Sequence, residues 1–455
     1  MGNNNKSTHN LHLVSSSRSI RKLLQKRWLV VVFALALTGL GAALAGVLFK
    51  TAVYQLDGWR LALLKEIPPW LLLPTLGGLG GLISGYLITK LSPEASGSGV
   101  THIMAFLRHR TVPMGLRVGL VKLLTGIVAI GSGFPLGPEG PAIQMGGSVA
   151  WKMAQLLKAP ISFRRVIVAA GGGAGLAAIF SAPIGGFVYV IEELLNSARP
   201  VVLLLVVVTT FWADTWADVL QAIGLDQSAG GFDSDLGFQV QREYTRTVEF
   251  LPIDLGYLIV LGIIVGCIAE LYCKYVLTMQ QKGKRWFGNR LILKMSVCGV
   301  MIGSIYASLP NEFHQITGLK KLIAEESIDI TMALTIFAVV FITTGLASAS
   351  GAPGGLFYPM LILGGSLGLA CDHWAIIITQ YVPSTYVFAG MGAFVSACSR
   401  TPITAMFLAF ALTKDLLILK PLLITCITSF LIARLFNEHS LYERQIDLDL
   451  KKANV

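Results

Sequence analysis

Three short motifs rich in glycine and proline contain the residues of this sequence best suited to hold an ion: GSGVT at 97–101, GPEGP at 137–141 and GLFYP at 355–359. The middle motif places one carboxylate, Glu139, between glycines and prolines. Glycine lets the backbone approach a ligand closely, and proline fits the first turn of a helix, where its missing N–H would be unpaired anyway. Each motif therefore predicts the start of a helix.

The starts of helices are suited to anions rather than cations. A helix N-terminus presents free N–H groups and a partial positive charge of about +0.5. None of the three motifs contains Lys or Arg. An ion in transit has to bind and also to leave, so dipoles and hydroxyl groups suit it better than a full charge. The motifs therefore favour a site for a mobile anion.

The composition indicates the elements that must position these motifs. Of the 455 residues, 54% are apolar and only 13% are charged, and the mean hydropathy is +0.68. A bilayer-spanning helix needs about 20 mostly apolar residues, and roughly ten stretches approach that length. Several are broken by Gly or Pro, and broken backbone at membrane depth survives only inside protein or against a cavity. The sequence predicts an all-α protein with many spans, in which some helices do not cross fully.

The chain also contains an internal repeat. At a shift of 218 residues, 132–148 matches 350–366 at eight of seventeen positions, and at a shift of 219, 170–184 matches 389–403 at seven of fifteen. Gly-rich membrane segments match by chance more easily than average sequence. Two consecutive blocks at nearly one offset argue against chance. Paired broken helices in two halves are typical of transporters, with the binding site at midplane where the halves meet.

Three acids depart from this symmetry. Glu139 corresponds to Phe357 in the second half, and Glu192 and Glu193 correspond to Ala411 and Leu412. An intramembrane carboxylate costs about 2.5–3.5 kcal/mol even on the mild translocon scale. Three acids placed in one half only therefore suggest function. The alternative for each is a snorkelling or interfacial acid.

Other site classes find little support. The basic segment 1–27 has six Lys or Arg and no acid, which predicts a cytoplasmic N-terminus by the positive-inside rule. The net charge of +11 is explained by topology rather than by nucleic-acid binding, since the basic residues form no continuous groove with aromatic residues. Six cysteines without a CxxC pair and seven scattered histidines predict neither a disulfide nor a metal site. No cofactor is expected, and no HExxH or P-loop motif suggests an enzyme.

Taken together, the motifs resemble those of the CLC family of chloride channels and chloride/proton antiporters. GSGVT is similar to the family's GSGIP, GPEGP to GREGP, and GLFYP to GIFAP, while SLYERQ at 440–445 resembles the segment with the pore tyrosine. The likeness runs from residue 28 to 447 and is strongest to short prokaryotic members, including cyanobacterial ones, that have no cytoplasmic regulatory domains.

The resemblance implies an architecture and an assembly. It implies two inverted-topology repeats of tilted and discontinuous helices in the lipid bilayer, at 28–223 and 251–436, joined by an extracytoplasmic linker at 224–250. A C-terminal segment at 437–455 then contains the pore tyrosine. The family forms homodimers with one anion pathway per subunit. For a prokaryotic member this implies the inner membrane, with both termini in the cytoplasm.

The resemblance also implies a chloride site. Ser98 and Tyr442 would offer hydroxyls to the anion, and Leu356 and Phe357 would offer backbone N–H groups. Ser98 is the residue type that accompanies chloride preference in the family. Considered without the resemblance, the serine is better explained as a local helix cap and the tyrosine as an interfacial anchor than as ligands. Supporting positions in the motifs are Gly97, Gly99, Gly137, Gly140, Pro141, Gly355 and Pro359.

Proton coupling would rest on two of the acids. By the resemblance, Glu139 is the gating glutamate, which occupies the outer anion site when ionised and swings away when protonated. Glu193 matches the inner proton-transfer glutamate of antiporters, a position that many channel members fill with an uncharged residue. The resemblance therefore favours a secondary active chloride/proton antiporter, and the alternative is a passive chloride channel of the same fold.

Two departures from the family pattern affect the motifs themselves. Pro138 replaces the basic residue of GREGP and removes a charge beside Glu139, while Thr101 replaces the proline of GSGIP at a helix start. Neither change removes a group expected to touch the ion. Lys122, inside an apolar stretch, is explained equally well as a snorkelling base or as a structural partner and is left unassigned.

Overall fold

The chain is almost entirely helical in the computed structural model, which describes residues 5–195, 199–225, 252–314, 329–379 and 386–453. No β-strand occurs in these ranges. The predicted linker lies outside them from residue 226 onward. The helices are α1 (Asn5–Leu64), α2 (Pro69–Leu91), α3 (Gly99–Leu107), α4 (Leu116–Gly131), α5 (Glu139–Leu156), α6 (Ile161–Phe180), α7 (Pro183–Tyr189), α8 (Pro200–Ala222), α9 (Pro252–Phe287), α10 (Leu291–Ala307), α11 (Ile330–Ser350), α12 (Phe357–Thr379), α13 (Tyr386–Ser399), α14 (Pro402–Thr413), α15 (Leu419–Phe436) and α16 (Leu441–Ala453).

The helices differ in how far they can reach across a bilayer. Seven helical stretches in the described part of the chain are long and apolar enough to cross a membrane. Four shorter apolar helices accompany them, among them α14, which has 12 residues. At 1.5 Å per residue, α14 covers about 18 Å of a hydrocarbon core that is about 30 Å thick. Helices long enough to span are thus interspersed with apolar helices too short to do so, which agrees with the prediction that some helices do not cross fully.

The internal repeat is visible in the way neighbouring helices pack. Helix α5 packs on α6, and α12 packs on α13, through pairs of glycines. A Cβ atom at Gly146 would overlap the carbonyl oxygen of Gly171, and a Cβ atom at Gly364 would overlap that of Gly390. These pairs are related by the sequence shifts, since 146 + 218 = 364 and 171 + 219 = 390. The same backbone-to-backbone contact is therefore built once in each half.

The two halves meet at their broken segments. Gly137 and Gly355 form an antiparallel bridge in which each N–H donates to the carbonyl of the other residue, both at 2.8 Å. The two residues are equivalent in the repeat, since 137 + 218 = 355. A residue that pairs with its own symmetry equivalent lies beside the axis that relates the halves. The motif segments therefore lie at the centre of the molecule.

We expect Gly364→Ala to destabilise the protein, because the new methyl group would force α12 away from α13. Overpacking of this kind costs about 1–3 kcal/mol. Gly256→Ala is the matched control, since Gly256 in α9 has open space where its Cβ would lie. Thermal unfolding of both purified variants in detergent would measure the difference. An unchanged midpoint for Gly364→Ala would contradict close packing at this pair.

Candidate functional site

The carboxylate of Glu139 lies at the N-terminus of α12. Glu139 is the first residue of α5 and is completely buried. Its Oε1 accepts hydrogen bonds from the backbone N–H of Phe357 at 2.6 Å and of Tyr358 at 3.4 Å. Charge-assisted hydrogen bonds and the positive end of the helix dipole both favour an ionised carboxylate there. The side chain therefore contacts the amide of Phe357, its own symmetry equivalent in the other half.

Two glycines leave room for this carboxylate. A Cβ atom at Gly137 would overlap Oε2 of Glu139, and a Cβ atom at Gly355 would overlap Oε1. The same two glycines form the bridge between the halves. Glycine at these positions is thus explained by the close approach of the acid, and the bridge and the carboxylate site depend on the same backbone.

The three motif segments converge as helix starts, which confirms that prediction. Helix α3 begins at Gly99, α5 at Glu139 and α12 at Phe357, and Pro141 and Pro359 lie in the first turns of the last two. A Cβ atom at Gly99 would overlap the carbonyl oxygen of Gly140, and one at Gly140 would lie 2.8 Å from the carbonyl carbon of Gly354. The N-termini of α3, α5 and α12 therefore lie against one another. Gly97, with a φ of +70°, adopts the left-handed conformation that favours glycine and donates to the carbonyl of Gly351 at 2.9 Å.

Ser98 is the N-cap of α3. Its Oγ accepts a hydrogen bond from the N–H of Val100 at 3.3 Å, so the local capping role is present. A hydroxyl that accepts one bond still has a proton to donate, and capping is therefore compatible with binding an anion. Thr101, at the position of the family's proline, donates its hydroxyl to the carbonyl of Ser98 at 2.9 Å. The substitution at Thr101 leaves the helix start intact.

Tyr442 is buried and not an interfacial anchor. Its side chain is completely enclosed, and within the described ranges its hydroxyl finds no hydrogen-bond partner. Its ring packs edge-on against Phe357, with centroids 5.7 Å apart and an 81° interplanar angle. Leu356, the other residue expected to offer a backbone N–H group, directly precedes Phe357 and is also buried. Buried hydroxyls without a partner are uncommon in folded proteins, so the orphaned group points to a ligand site beside the start of α12.

The acids Glu192 and Glu193 have different partners. Both lie in a π-helical turn, Val190–Leu195, that continues α7. Glu193 is buried and accepts a hydrogen bond from Oγ of Ser440 at 2.9 Å. Glu192 instead accepts bonds from the N–H of Ile403 at 3.2 Å and from the N–H and hydroxyl of Thr404, both at 2.7 Å. Glu193 thus contacts the segment of Tyr442, whereas Glu192 caps the N-terminus of α14.

An ion-pair cluster that sequence reasoning missed fixes the C-terminal helix α16. Glu270 in α9 accepts hydrogen bonds from Arg400 at 3.1 Å and from Arg444 at 2.9 and 3.0 Å. The Glu270 side chain is almost completely buried. Arg108, the C-cap residue of α3, also pairs with Glu443 in α16. Tyr442 immediately precedes Glu443 and Arg444 in α16. The ion pairs of these two residues therefore position the helical turn that contains Tyr442. Single charges among apolar residues gave no sequence signal of this pairing.

Lys122 is not a snorkelling base. It lies in α4 with no exposed surface, and its Nζ has no hydrogen-bond partner in the part of the chain that the structure describes. The structure therefore leaves only a role inside the protein. Pro138 is the N-cap residue of α5 and adds no charge beside Glu139. The described ranges also contain no group of three or more His, Cys, Asp or Glu side chains able to hold a metal ion.

Comparison with known proteins gives a consistent result. Residues 80–434 match the family model described as voltage gated chloride channel. The H(+)/Cl(-) exchange transporter ClcA of Cronobacter sakazakii is 31% identical over 450 residues, which is 95% of this chain and 93% of that protein. The solved structure of a slow cyanobacterial Cl-/H+ antiporter is 26% identical, with a TM-score of 0.82 over 94% of this chain and 99% of that one. A eukaryotic CLC transporter, 22% identical, has the same fold, with a TM-score of 0.75 over 93% and 74%.

Proposed function

This chain belongs to the voltage-gated chloride channel family, and from that membership we propose that it is a secondary active antiporter that exchanges chloride for protons. It is an integral membrane transporter and not an enzyme, in agreement with relatives that are named exchange transporters. The observation that carries the proposal is the Glu139 carboxylate on the amide of Phe357. A group that occupies an anion-binding helix terminus and can also bind a proton links the two ions directly.

Glu139 acts as the gate and as the outer proton carrier. When ionised, it competes with chloride for the amides of Phe357 and Tyr358. When protonated, it loses the charge-assisted part of those hydrogen bonds, which are about twice as strong as neutral ones. Chloride then displaces the neutral side chain, which takes its proton away from the anion site. One residue therefore alternates between blocking the anion and carrying the proton.

Chloride binds next to this carboxylate, where Ser98, Tyr442 and the N–H groups of Leu356 and Phe357 surround it. The free proton of the Ser98 hydroxyl and the unpartnered Tyr442 hydroxyl support this assignment. All four groups are neutral donors, which bind an anion without holding it permanently. The resemblance to the family, in which a serine at the position of Ser98 accompanies chloride preference, supports chloride as the anion.

Glu193 receives protons on the cytoplasmic side. Its burial and its single hydrogen bond from Ser440 support a group that takes up and releases a proton. The carboxylate of Glu192 is already occupied by three donors at the start of α14, which suits a structural role. The presence of Glu193 favours the antiporter over the passive channel of the same fold.

The assembly we propose is a homodimer with one pathway per subunit in a prokaryotic inner membrane, with both termini in the cytoplasm. Bacterial relatives and the basic segment 1–27 support this location and orientation. The repeats at 28–223 and 251–436, with the linker 224–250 outside and the segment 437–455 inside, complete the arrangement. Its partners are chloride, protons and lipid, with no nucleic acid and no cofactor.

Crystals soaked in bromide should show an anomalous peak within hydrogen-bonding distance of the Ser98 and Tyr442 hydroxyls. Tyr442→Phe should weaken chloride binding about tenfold or more, since a hydrogen bond to a charged group contributes about 1.5–3 kcal/mol. Isothermal titration measures the affinity. Tyr272→Phe is the control, because that buried hydroxyl bonds to Thr344 instead. Bromide density confined to other places would refute the assignment.

Glu139→Ala should keep chloride movement and lose proton coupling, because the carboxylate that blocks the amides of α12 is also the group that exchanges a proton there. In liposomes with a chloride gradient, proton flux should fall to the level of empty vesicles while chloride flux persists. Simultaneous chloride-electrode and pH recordings give both fluxes. Uphill proton pumping by the variant would show that Glu139 is not the carrier.

Glu193→Gln should strongly reduce proton transport while chloride flux continues, because the amide cannot bind and release a proton at neutral pH. Glu192→Gln is the matched control: the glutamine oxygen still accepts bonds at the start of α14, so coupling should change less. The same liposome recordings compare the two variants. If Glu193→Gln pumps protons at the wild-type ratio, this proton entry point is wrong. If the wild type pumps none, the channel alternative replaces the antiporter.

A further inference from the structure

Tyr189 is a buried tyrosine that neither the chloride site nor the gate uses. It is the last residue of α7, and its side chain has no exposed surface. Its hydroxyl has no hydrogen-bond partner among the described residues. A buried hydroxyl left without a partner is destabilising, so Tyr189 is a candidate for a role in transport if its position also fits one.

Tyr189 lies near both acids to which the proposed function assigns protons. Its ring packs perpendicular to that of Phe357, with centroids 5.7 Å apart, and the amide of Phe357 holds the Glu139 carboxylate. Toward the cytoplasmic side, Glu193 follows Tyr189 by four residues, about one helical turn. The phenol lies within electrostatic range of both carboxylates. Tyr189 is therefore a neighbour of the Phe357 amide that holds Glu139 and of the turn that contains Glu193.

Packing alone does not explain a tyrosine at this position. By the repeat, 189 + 219 = 408, and the second half has Leu408 there, which is equally buried. An apolar side chain thus fills the equivalent space in the half that lacks the acids. The hydroxyl of Tyr189 departs from the symmetry together with Glu139 and Glu193, which ties it to their function.

We propose that the Tyr189 hydroxyl relays protons between Glu193 and Glu139. The proposal rests on the antiport function argued above. The Glu193 carboxylic acid gives up its proton toward the Tyr189 oxygen while the Tyr189 O–H proton moves on to the Glu139 carboxylate. One O–H bond breaks and one forms at each step, so the phenol stays neutral and one proton is moved. Because the hydroxyl bonds directly to neither acid in this conformation, a bridging water completes each transfer.

Tyr189 and the tyrosine of the proposed anion site pack on the same aromatic ring. Tyr189 packs on one side of the Phe357 ring, and Tyr442 packs on that ring as well, with centroids also 5.7 Å apart. In our proposal the Tyr442 hydroxyl donates a hydrogen bond to chloride, whereas the Tyr189 hydroxyl accepts and donates protons. The Phe357 ring contacts both tyrosines, and the Phe357 amide holds the Glu139 carboxylate.

The test is Tyr189→Phe in liposomes, with chloride and proton fluxes recorded together. Phenylalanine keeps the ring contact with Phe357 and removes only the hydroxyl. Since a positioned proton-transfer group contributes about 10²–10⁴ in rate, proton flux should fall at least about tenfold while chloride flux and chloride affinity stay near wild type. Tyr386→Phe is the matched control, since Tyr386 is a buried tyrosine in the other half whose hydroxyl also lacks a partner within the described ranges.

Each outcome has a distinct meaning. A raised number of chloride ions per proton in Tyr189→Phe, with the control unchanged, supports the relay, and Tyr189→Leu, which copies the second half, should behave in the same way. Wild-type proton pumping by Tyr189→Phe would overturn it. A parallel loss of chloride affinity and flux would overturn it too, because the hydroxyl would then be an anion ligand. If the wild type itself pumps no protons, the antiport proposal fails and the relay with it.

Discussion

The hydrogen bond from the Phe357 amide to the Glu139 carboxylate is the interaction on which the rest of the site depends. It requires a buried acid to reach a helix terminus in the other half of the chain, 218 residues away. That approach is possible only because Gly137 and Gly355 have no side chain where the carboxylate lies. The same glycines pair the two halves through reciprocal 2.8 Å hydrogen bonds. The position of the Glu139 carboxylate and the contact between the two repeats thus depend on the same pair of glycines.

Residues that follow the internal repeat form the helix packing, and residues that depart from the repeat provide the titratable side chains. Glycine pairs pack α5 on α6 and α12 on α13 in the same way, so each half presents a helix N-terminus at the centre. A symmetric molecule would have either two acids or none there. With Glu139 opposite Phe357, one half provides the titratable group and the other provides the amides that receive it. The polar residues Tyr189 and Glu193 lie in the same half as the acid, where Leu408 and Leu412 stand in the other.

The features that could be predicted from the sequence are those determined by residues close together in the chain. Glycine and proline fix where α3, α5 and α12 begin, and the offset of 218 residues reveals the repeat and the unpaired acid. What sequence reasoning missed depends on partners far away in the chain. The Glu193 carboxylate bonds to Ser440, 247 residues later, and Glu270 bonds to Arg400 and Arg444 across 130 and 174 residues. No local pattern specifies such pairs. The interpretation of Tyr442 as an interfacial anchor was wrong for the same reason, because only the tertiary packing of α16 buries it.

The π-helical turn after α7 explains why two adjacent acids differ. In an α-helix, the side chains of consecutive residues point about 100° apart. A π-helical turn is wider than an α-helical one and is frequent at functional sites. Glu192 reaches the amides of α14, and Glu193 reaches the segment before α16. Glu192 accepts three hydrogen bonds at the terminus of α14, whereas Glu193 accepts one, from the Ser440 hydroxyl. The two acids therefore differ in the number of donors that the fold provides and not in residue type, and this difference supports the division of roles that we propose for them.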